Sequence, residues 1–313
     1  MQKLKVIIPE RMNGERLDVA IAGMLPDYSR SKITAKIKSG EALIDSKTFK
    51  PKDKASGKET VFLVFNHKNS THWEAEDISL DIVFEDEDII VINKPFGLVT
   101  HPGAGNWSGT LANALLYHDK NLLKLDRAGI VHRLDKNTSG LMVISKNAKS
   151  QKHLVNQLQV HSVEREYSAI VYGHMISGGT VNEPIGRDSR DRIKQAISNG
   201  GKEAITHYRV IDRYKSHTHV KAILETGRTH QIRVHLSHIG HPLVGDPVYG
   251  GRVRYPKKAA QDLKNALMQF ERQALHSKKL TLTHPSSGET MTWKIDLPDD
   301  MKSLLNVLIE FDS

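Results

Sequence analysis

The chain has 313 residues, of which 38% are hydrophobic and 26% charged, as in an ordinary soluble protein. A chain of this length predicts two domains rather than one small core. It contains no cysteine, which excludes disulfides, zinc–thiolate sites and thiol nucleophiles. No apolar stretch approaches the roughly 18 residues of a membrane helix. The first residues carry no secretory signal, so we expect a cytoplasmic protein without membrane association.

The formal net charge of +9 favours a polyanionic partner such as nucleic acid, although many basic proteins have no such partner. Residues 1–70 contain 14 basic and 8 acidic residues, whereas residues 69–93 contain no Lys or Arg and eight acidic residues. This change in composition, together with the polar stretch HKNSTHWEAED, predicts a small basic domain over 1–66, a linker over 67–78 and a larger domain over 79–313.

The small domain begins with two short amphipathic helices, in ERLDVAIAGMLP and SRSKITAKIKSG, followed by strand-like segments in ALID and ETVFLVF. The second helix would bury Ile33 and Ile37 and expose the basic residues Arg30, Lys32 and Lys36. Two small helices with a basic face ahead of a little β structure resemble an S4-type RNA-binding module. The alternative is that the lysine-rich face is merely solvated.

The larger domain opens with a hairpin pattern in which LDIVFE and IIVINKP flank an acidic turn at 86–88. Further strands are predicted in GLMVIS, YSAIVYG, THYRVI, VKAILET and TLTHPSSGETMTWKI, with helices near 109–118, 148–159, 229–239 and 259–270. Because the strands come in groups with several hairpins, the pattern predicts an α+β fold with a largely antiparallel mixed sheet. Neither GxGxxG after a strand nor GxxxxGK[ST] occurs, so no nucleotide cofactor is indicated.

The stretch VHRLDKNTSG holds one carboxylate, Asp135, between Arg133 and Lys136. A carboxylate acts as a nucleophile only in its ionised form, which neighbouring cations favour in general. The stretch also lies beside an apolar run, and loops at strand edges often carry functional residues. From these residues alone, Asp135 is either a candidate nucleophile or part of an ordinary solvated loop.

The stretch TGRTHQIRVHLSHIGHPLVGDPVYG predicts a helix that Thr226 or Thr229 caps and Gly240 ends. Arg233 on this helix is suited to gripping a carboxylate or a phosphate. Three histidines follow at three-residue spacing, at His235, His238 and His241. They suggest a metal site, but without an HExxH pattern or an acidic ligand in the stretch, RNA contact or hydrogen-bonded packing accounts for them better.

Two strand segments each carry one further candidate. EREYSAIVYG places Tyr167 at the start of a strand, where a tyrosine is usually a core residue with a hydrogen-bonded hydroxyl. INKPFGLVTHPG runs a strand into a Pro/Gly-rich turn, where Lys94 would meet RNA or solvent. Neither pattern assigns a function to its residue by itself.

Together, HRLDKNTSG, INKPFGLVTHPG, EREYSAIVYG and TGRTHQIRVHLSHIGHPLVGDPVYG resemble the motifs of the RluA family of pseudouridine synthases. The resemblance covers nearly the whole chain and implies a catalytic domain of the pseudouridine synthase fold behind an S4 domain. It implies the isomerisation of uridine to pseudouridine in RNA, without cofactor or metal. The stretch LIDSKTFKPKD departs from the pattern, since it lacks the Val-Asn-Gly turn common in S4 domains.

The resemblance also implies roles for individual residues. Asp135 corresponds to the nucleophile, and Tyr167 to the tyrosine that stacks on the base and is expected to assist proton removal at C5. Arg233 corresponds to the arginine that pairs with the catalytic carboxylate, and Arg133 to the one that holds the target base out of the stack. Further RNA contacts are expected at His132, Lys94, Arg228 and His230, and at Arg30, Lys32 and Lys36 of the small domain.

The substrate that the resemblance implies is the helix 69 stem-loop of bacterial 23S rRNA, free or in the assembling large ribosomal subunit. We expect the enzyme to be a monomer. The same chemistry at another rRNA or tRNA site is an open alternative. Two further alternatives come from other classes: a non-catalytic RNA-binding or assembly factor, and a histidine-based metal hydrolase.

Overall fold

The computed structural model describes residues 2–25, 28, 30–65, 73–103, 105–191 and 194–312. The chain divides into two compact units, residues 1–72 and residues 73–313. The first six residues of the expected linker, 67–72, lie outside the described residues. Within the described part of the chain, no helix is long and apolar enough to cross a membrane.

The first unit packs two helices against a three-stranded antiparallel sheet. Its elements are β1 (Gln2–Ile7), α1 (Leu17–Met24), α2 (Arg30–Lys38), β2 (Ala42–Ile44) and β3 (Thr60–Phe65). The sheet has the order β1-β3-β2. Leu17 and Ile21 of α1 and Ile33 and Ile37 of α2 are buried in one core, as their helical spacing predicts.

The basic residues expected on α2 have different surroundings. Arg30 is half exposed and its Nη2 lies 2.9 Å from Asp18 Oδ2. The expectation for Lys36 is wrong, because its side chain is only 5% exposed and its Nζ lies 2.8 Å from Glu41 Oε2. The side chain of Lys32 lies outside the described residues.

The second unit is built on one large sheet. Its elements are β4 (Ile82–Glu85), β5 (Ile89–Lys94), α3 (Leu111–His118), β6 (Ser139–Ser145), α4 (Ala148–Gln159), β7 (Glu164–Tyr172), β8 (Gly179–Asn182), β9 (Ile185–Arg187), β10 (Gln195–Ile197), β11 (Ile205–Arg213), β12 (His217–Leu224), α5 (Gln231–His238), α6 (Gln261–Gln269), β13 (Leu275–Thr283), β14 (Thr290–Lys294) and α7 (Asp299–Phe311). The strand order is β4-β5-β6-β13-β7-β12-β11-β8, with β14 on β13, and β9 pairs with β10 separately. Among the strand pairs of the described residues, β6 and β13 are parallel and the others antiparallel, which confirms the predicted α+β class.

Both faces of the central strands are buried, which explains their unbroken apolar runs. On β5, Ile90 and Ile92 enter a core shared with α3 and α5, while Ile89 and Val91 enter a core on the opposite face. A third core joins β7 to α6 and α7. This alternation follows from the two-residue period of a strand, which sends successive side chains to opposite faces of the sheet.

The helices predicted in the second unit are present, but one cap differs from the prediction. His230, with φ of 58°, is the N-terminal cap of α5, and no side chain caps that end. Thr226 does not cap the helix, because its Oγ1 donates to Gln231 Oε1 at 2.7 Å instead. Gly240 follows the helix with φ of +84°, as expected of a C-terminal glycine.

Candidate active site

Asp135 lies in a turn that leads directly into β6, and its backbone carbonyl accepts a hydrogen bond from Thr138 N at 3.0 Å. Side chains from outside the turn bind its other carbonyls. The three bonds are Thr100 Oγ1 to Leu134 O at 2.8 Å, Lys94 Nζ to Lys136 O at 3.2 Å and Arg272 Nη1 to Asn137 O at 3.4 Å. The backbone that carries Asp135 is therefore held from several directions, as a preorganised site requires.

The close packing of strands β6, β13 and β7 brings Tyr167 to the end of the sheet that carries the Asp135 turn. Ser277 of β13 is paired with Gly140 on one side and with Tyr167 on the other. A Cβ atom at Gly140 would lie 2.2 Å from Ser277 O, so only glycine allows β6 and β13 to approach this closely. This contact explains the glycine that ends HRLDKNTSG.

Arg233 of α5 links two carboxylates. Its Nη1 donates to Asp135 Oδ2 at 3.1 Å, while Nε and Nη2 donate to the two oxygens of Asp246 at 2.7 and 2.9 Å. Asp246 also accepts hydrogen bonds from the backbone amides of Val248 and Tyr249. Asp246 thus holds the guanidinium in a fixed plane from which one nitrogen reaches Asp135.

The Arg233–Asp246 pair is buried, and burial alone would disfavour both charges. Burial raises the pKa of Asp246, but the hydrogen bonds and charge of Arg233 outweigh this effect and leave the pKa below its usual range. The pKa of Arg233 is raised in turn, since the bonds to Asp246 and the charge of Asp135 outweigh its own burial. Both groups are therefore charged in the folded protein at neutral pH.

The catalytic candidates lie along one open cleft of about 570 Å³, which is large enough for a nucleoside. Asp135, Tyr167 and Arg233 all line it. Arg133 lines the same cleft and is exposed, and in the described part of the chain it forms neither an ion pair nor a hydrogen bond. Its guanidinium is consequently free to meet an incoming ligand.

Tyr167 lines the cleft, but its hydroxyl is not ionised and so is not ready to accept a proton. Burial raises the pKa of its hydroxyl above the usual value, although the charge of Arg165 and a hydrogen bond with Ser277 oppose the shift. The phenol is therefore neutral at physiological pH. Its ring offers an apolar surface on which a base can stack.

His132 lines the cleft as a neutral ring. Its Nε2 accepts a hydrogen bond from Val143 N at 3.0 Å, and burial, aided by the charge of Arg165, lowers its pKa to about 3. It is not a cation for a phosphate group. A contact between its ring and a base stays a prediction.

The neutral state of His132 makes stability depend on pH. Because its pKa is lower in the folded than in the unfolded state, its contribution is present above about pH 6.5 and is lost as the pH falls toward 3. We expect His132→Gln, which keeps an acceptor for Val143 N, to remove that loss. Between pH 6 and 4.5, the free energy of unfolding in urea should fall by about 2 kcal/mol more in the unmodified protein than in the variant. Equal losses in the two proteins would contradict this account of His132.

The expected RNA contact of Lys94 is wrong. Its side chain is fully buried, and its Nζ donates to the carbonyls of Pro95, Leu98 and Lys136. Burial lowers the pKa of Lys94 to about 7, against the opposing effect of Asp135. The lysine ties the turn after β5 to the Asp135 turn, so its role is to support the site.

Arg228 and His230 also line the cleft. Arg228 Nε donates to Glu203 O at 2.8 Å. His230 Nδ1 lies 2.8 Å from the hydroxyl of Tyr249, and its Nε2 lies 3.9 Å from Asp135 Oδ1. Their contacts with RNA stay predictions.

The histidines at three-residue spacing do not converge. His235 is buried between Thr206 Oγ1 and Glu183 O, and His241 contacts Tyr172 O, which is hydrogen-bonded packing. Among the residues that the structure describes, no three His, Asp or Glu side chains are placed to share a metal ion.

Comparison with known proteins identifies the class of enzyme. A family model described as RNA pseudouridylate synthase matches residues 88–238. Ribosomal large subunit pseudouridine synthase D of Pseudomonas aeruginosa is 50% identical over 301 residues, which cover 96% of this chain and 94% of that protein. The Escherichia coli K12 protein of the same name is 50% identical over 307 residues, 98% of this chain and 94% of its own length.

The chain belongs to the RluA family of pseudouridine synthases. It is an RNA pseudouridine synthase, an isomerase, as its motifs predict. Two human structures share its fold. RNA pseudouridylate synthase domain containing 4 aligns with a TM-score of 0.58 and 27% identity over 74% of this chain and 94% of that one. RNA pseudouridylate synthase domain containing 1 aligns with a TM-score of 0.57 and 24% identity over 76% of this chain and 90% of that one.

Sequence reasoning missed two residues of this pseudouridine synthase site, Asp246 and Arg165. Asp246 lies 13 residues after Arg233 in an irregular segment, where no helical or strand period signals a contact. Arg165 precedes Tyr167 by two residues on β7, so the strand period alone placed both on one face. The two-residue period of the strand was therefore the sequence signal that could have identified Arg165.

Proposed function

We propose that this synthase converts uridines in the helix 69 stem-loop of bacterial 23S rRNA to pseudouridine, with Asp135 as the nucleophile. The relatives that are 50% identical are named ribosomal large subunit pseudouridine synthase D, which supports a large-subunit rRNA as the substrate. The observation that carries the proposal is the Asp135 carboxylate, held by Arg233 at 3.1 Å in a cleft of nucleoside size.

The proposed mechanism begins with extrusion of the target uridine, since its reacting atoms are inaccessible inside a stem. Unstacking costs about a few kcal/mol. Arg133, which is exposed and unpaired among the described residues, would occupy the vacated place in the stem. The flipped uracil would pack on Tyr167, with its ribose toward Asp135.

Asp135 then acts on the extruded nucleotide. The C1′–N1 bond breaks, the uracil turns, and a C1′–C5 bond forms, after which C5 loses a proton and N1 gains one. Arg233 orients the Asp135 carboxylate through the reaction, and Asp246 fixes Arg233. The result is an isomerisation in which no atom is gained or lost.

The first unit would add affinity for the RNA backbone. We propose that it acts as an S4-like domain over residues 1–66, joined by a linker over 67–78 to a catalytic domain over 79–313. Arg30 is half exposed on it, and phosphate contacts of this kind make affinity fall with salt. We further propose a cytoplasmic, monomeric enzyme that meets its rRNA free or in the assembling subunit.

A hairpin assay tests the choice of substrate. The purified enzyme is incubated with a helix 69 hairpin and with an unrelated tRNA stem-loop, and pseudouridines are mapped by carbodiimide-stop primer extension. We expect stops at uridines of the hairpin and none in the tRNA stem-loop. Conversion of the tRNA stem-loop alone would reject helix 69 and favour a different RNA target for the same chemistry.

A further inference from the structure

Arg165 lies in the proposed uridine pocket, on the same face of β7 as Tyr167. They stand two positions apart on the strand, and both side chains are buried. Both line the cleft that contains Asp135. The cation therefore stands beside the ring on which the base would stack.

The guanidinium of Arg165 is incompletely paired although it is buried. Its Nη2 donates to Glu225 O at 2.8 Å and, more weakly, to Leu224 O at 3.4 Å. Its Nε has no hydrogen-bond partner, and no carboxylate of the described residues forms an ion pair with it. A buried charge without a counter-ion is unfavourable, so a site that keeps one is suited to an anionic ligand.

The absence of a side chain at Gly227 makes room for the guanidinium of Arg165. A Cβ atom at Gly227 would lie 2.8 Å from Arg165 Nη1, which is closer than such atoms approach in proteins. Gly227 also lines the cleft, in the stretch that leads to α5. A side chain there would push Arg165 out of its present position.

We propose that Arg165 binds a carbonyl oxygen of the target uracil and neutralises the negative charge that the ring acquires during the reaction. The inference rests on the proposed function and deepens it. When the C1′–N1 bond breaks, its electron pair stays on the uracil; if Asp135 instead adds to the ring first, the ring again takes the charge. In both cases C5 then bonds to C1′, any covalent bond to Asp135 breaks so that its carboxylate regains the charge, and a proton passes from C5 to N1, which leaves the ring neutral.

The test compares Arg165→Gln and Arg165→Lys with the unmodified enzyme under single-turnover conditions. A hydrogen-bond donor aimed at developing charge accounts for a factor on the order of 100 in rate, so we expect Arg165→Gln to lose about that much. The dissociation constant for the hairpin should not change, and Arg165→Lys should regain part of the rate. Unchanged turnover in Arg165→Gln would overturn the proposal.

The salt dependence of binding separates uracil from phosphate. A residue that neutralises a phosphate lowers the slope of log affinity against log salt by about one when removed. We expect the slope of Arg165→Gln to equal that of the unmodified enzyme. A reduced slope together with weakened binding would overturn the proposal in favour of a backbone contact.

A substrate with a better leaving group excludes a merely structural role. Fluorine at C5 makes the uracil ring a weaker base, so its departure needs less help from a cation. With a hairpin that carries 5-fluorouridine, the rate deficit of Arg165→Gln in consuming that nucleoside should shrink at least several-fold. An equal deficit on both hairpins would overturn the proposal. If the unmodified enzyme converted neither hairpin, the proposed function itself would fail.

Discussion

We expect Asp135→Asn to form no detectable pseudouridine in a helix 69 hairpin and still to bind that hairpin. The amide keeps the size of the side chain but cannot act as an anionic nucleophile. Loss of a nucleophile reduces turnover by at least about 10⁴-fold in well-studied enzymes. Binding should persist because Asp135 is one small part of a cleft whose other walls are unchanged. Single-turnover kinetics and a binding titration measure the two effects separately.

Asp77→Asn is the matched control for this variant. It removes the same charge from an exposed position outside the cleft. The control should retain the rate of the unmodified enzyme. Full activity in Asp135→Asn would reject the assignment of the nucleophile, whereas loss of activity in Asp77→Asn as well would point to a general effect of charge on RNA binding.

We expect Asp246→Asn to weaken both the fold and the reaction. The substitution removes one partner of the buried Arg233–Asp246 ion pair, a change that costs about 3 kcal/mol in the free energy of unfolding, and it leaves Asp135 as the remaining carboxylate partner of Arg233. It also releases the plane of the guanidinium, and a displacement of about 1 Å at a reacting centre lowers the rate about 100-fold. Urea denaturation and single-turnover rates at a temperature where the variant is folded measure these effects.

The same control, Asp77→Asn, serves for Asp246→Asn. It should change neither the midpoint of unfolding nor the rate. A variant at Asp246 that loses stability but keeps the full rate would show that other contacts position Arg233. In that case the chain of contacts from Asp246 through Arg233 to Asp135 would have no part in the reaction.

The elements of the fold follow the sequence where a local period defines them. The helices α3, α4, α5 and α6 lie close to their predicted bounds, because each buries one regular apolar stripe. Strand order is not a local property. The insertion of β13 between β6 and β7, which brings Ser277 between Gly140 and Tyr167, depends on a contact between residues more than a hundred positions apart.

The candidate active site, like the fold, was predictable from the sequence only in part. The charges around Asp135 made it a candidate nucleophile. The roles of Tyr167, Arg233 and Arg133 came from the family resemblance and not from the spacing of residues. Lys94 shows the limit of local sequence patterns, since the pattern predicts a lysine that meets RNA or solvent, whereas its side chain is buried and donates to three backbone carbonyls. Asp246 could not be predicted, because its role depends on how an irregular segment folds back on α5.

The pseudouridine map of 23S rRNA from a strain that lacks this enzyme tests the central claim most directly. The strain is complemented either with the unmodified gene or with Asp135→Asn, and the rRNA is mapped by carbodiimide-stop primer extension. We expect the helix 69 pseudouridines to be absent from the deletion strain, restored by the unmodified enzyme and not restored by Asp135→Asn. An unchanged map in the deletion strain, or restoration by Asp135→Asn, would contradict the account.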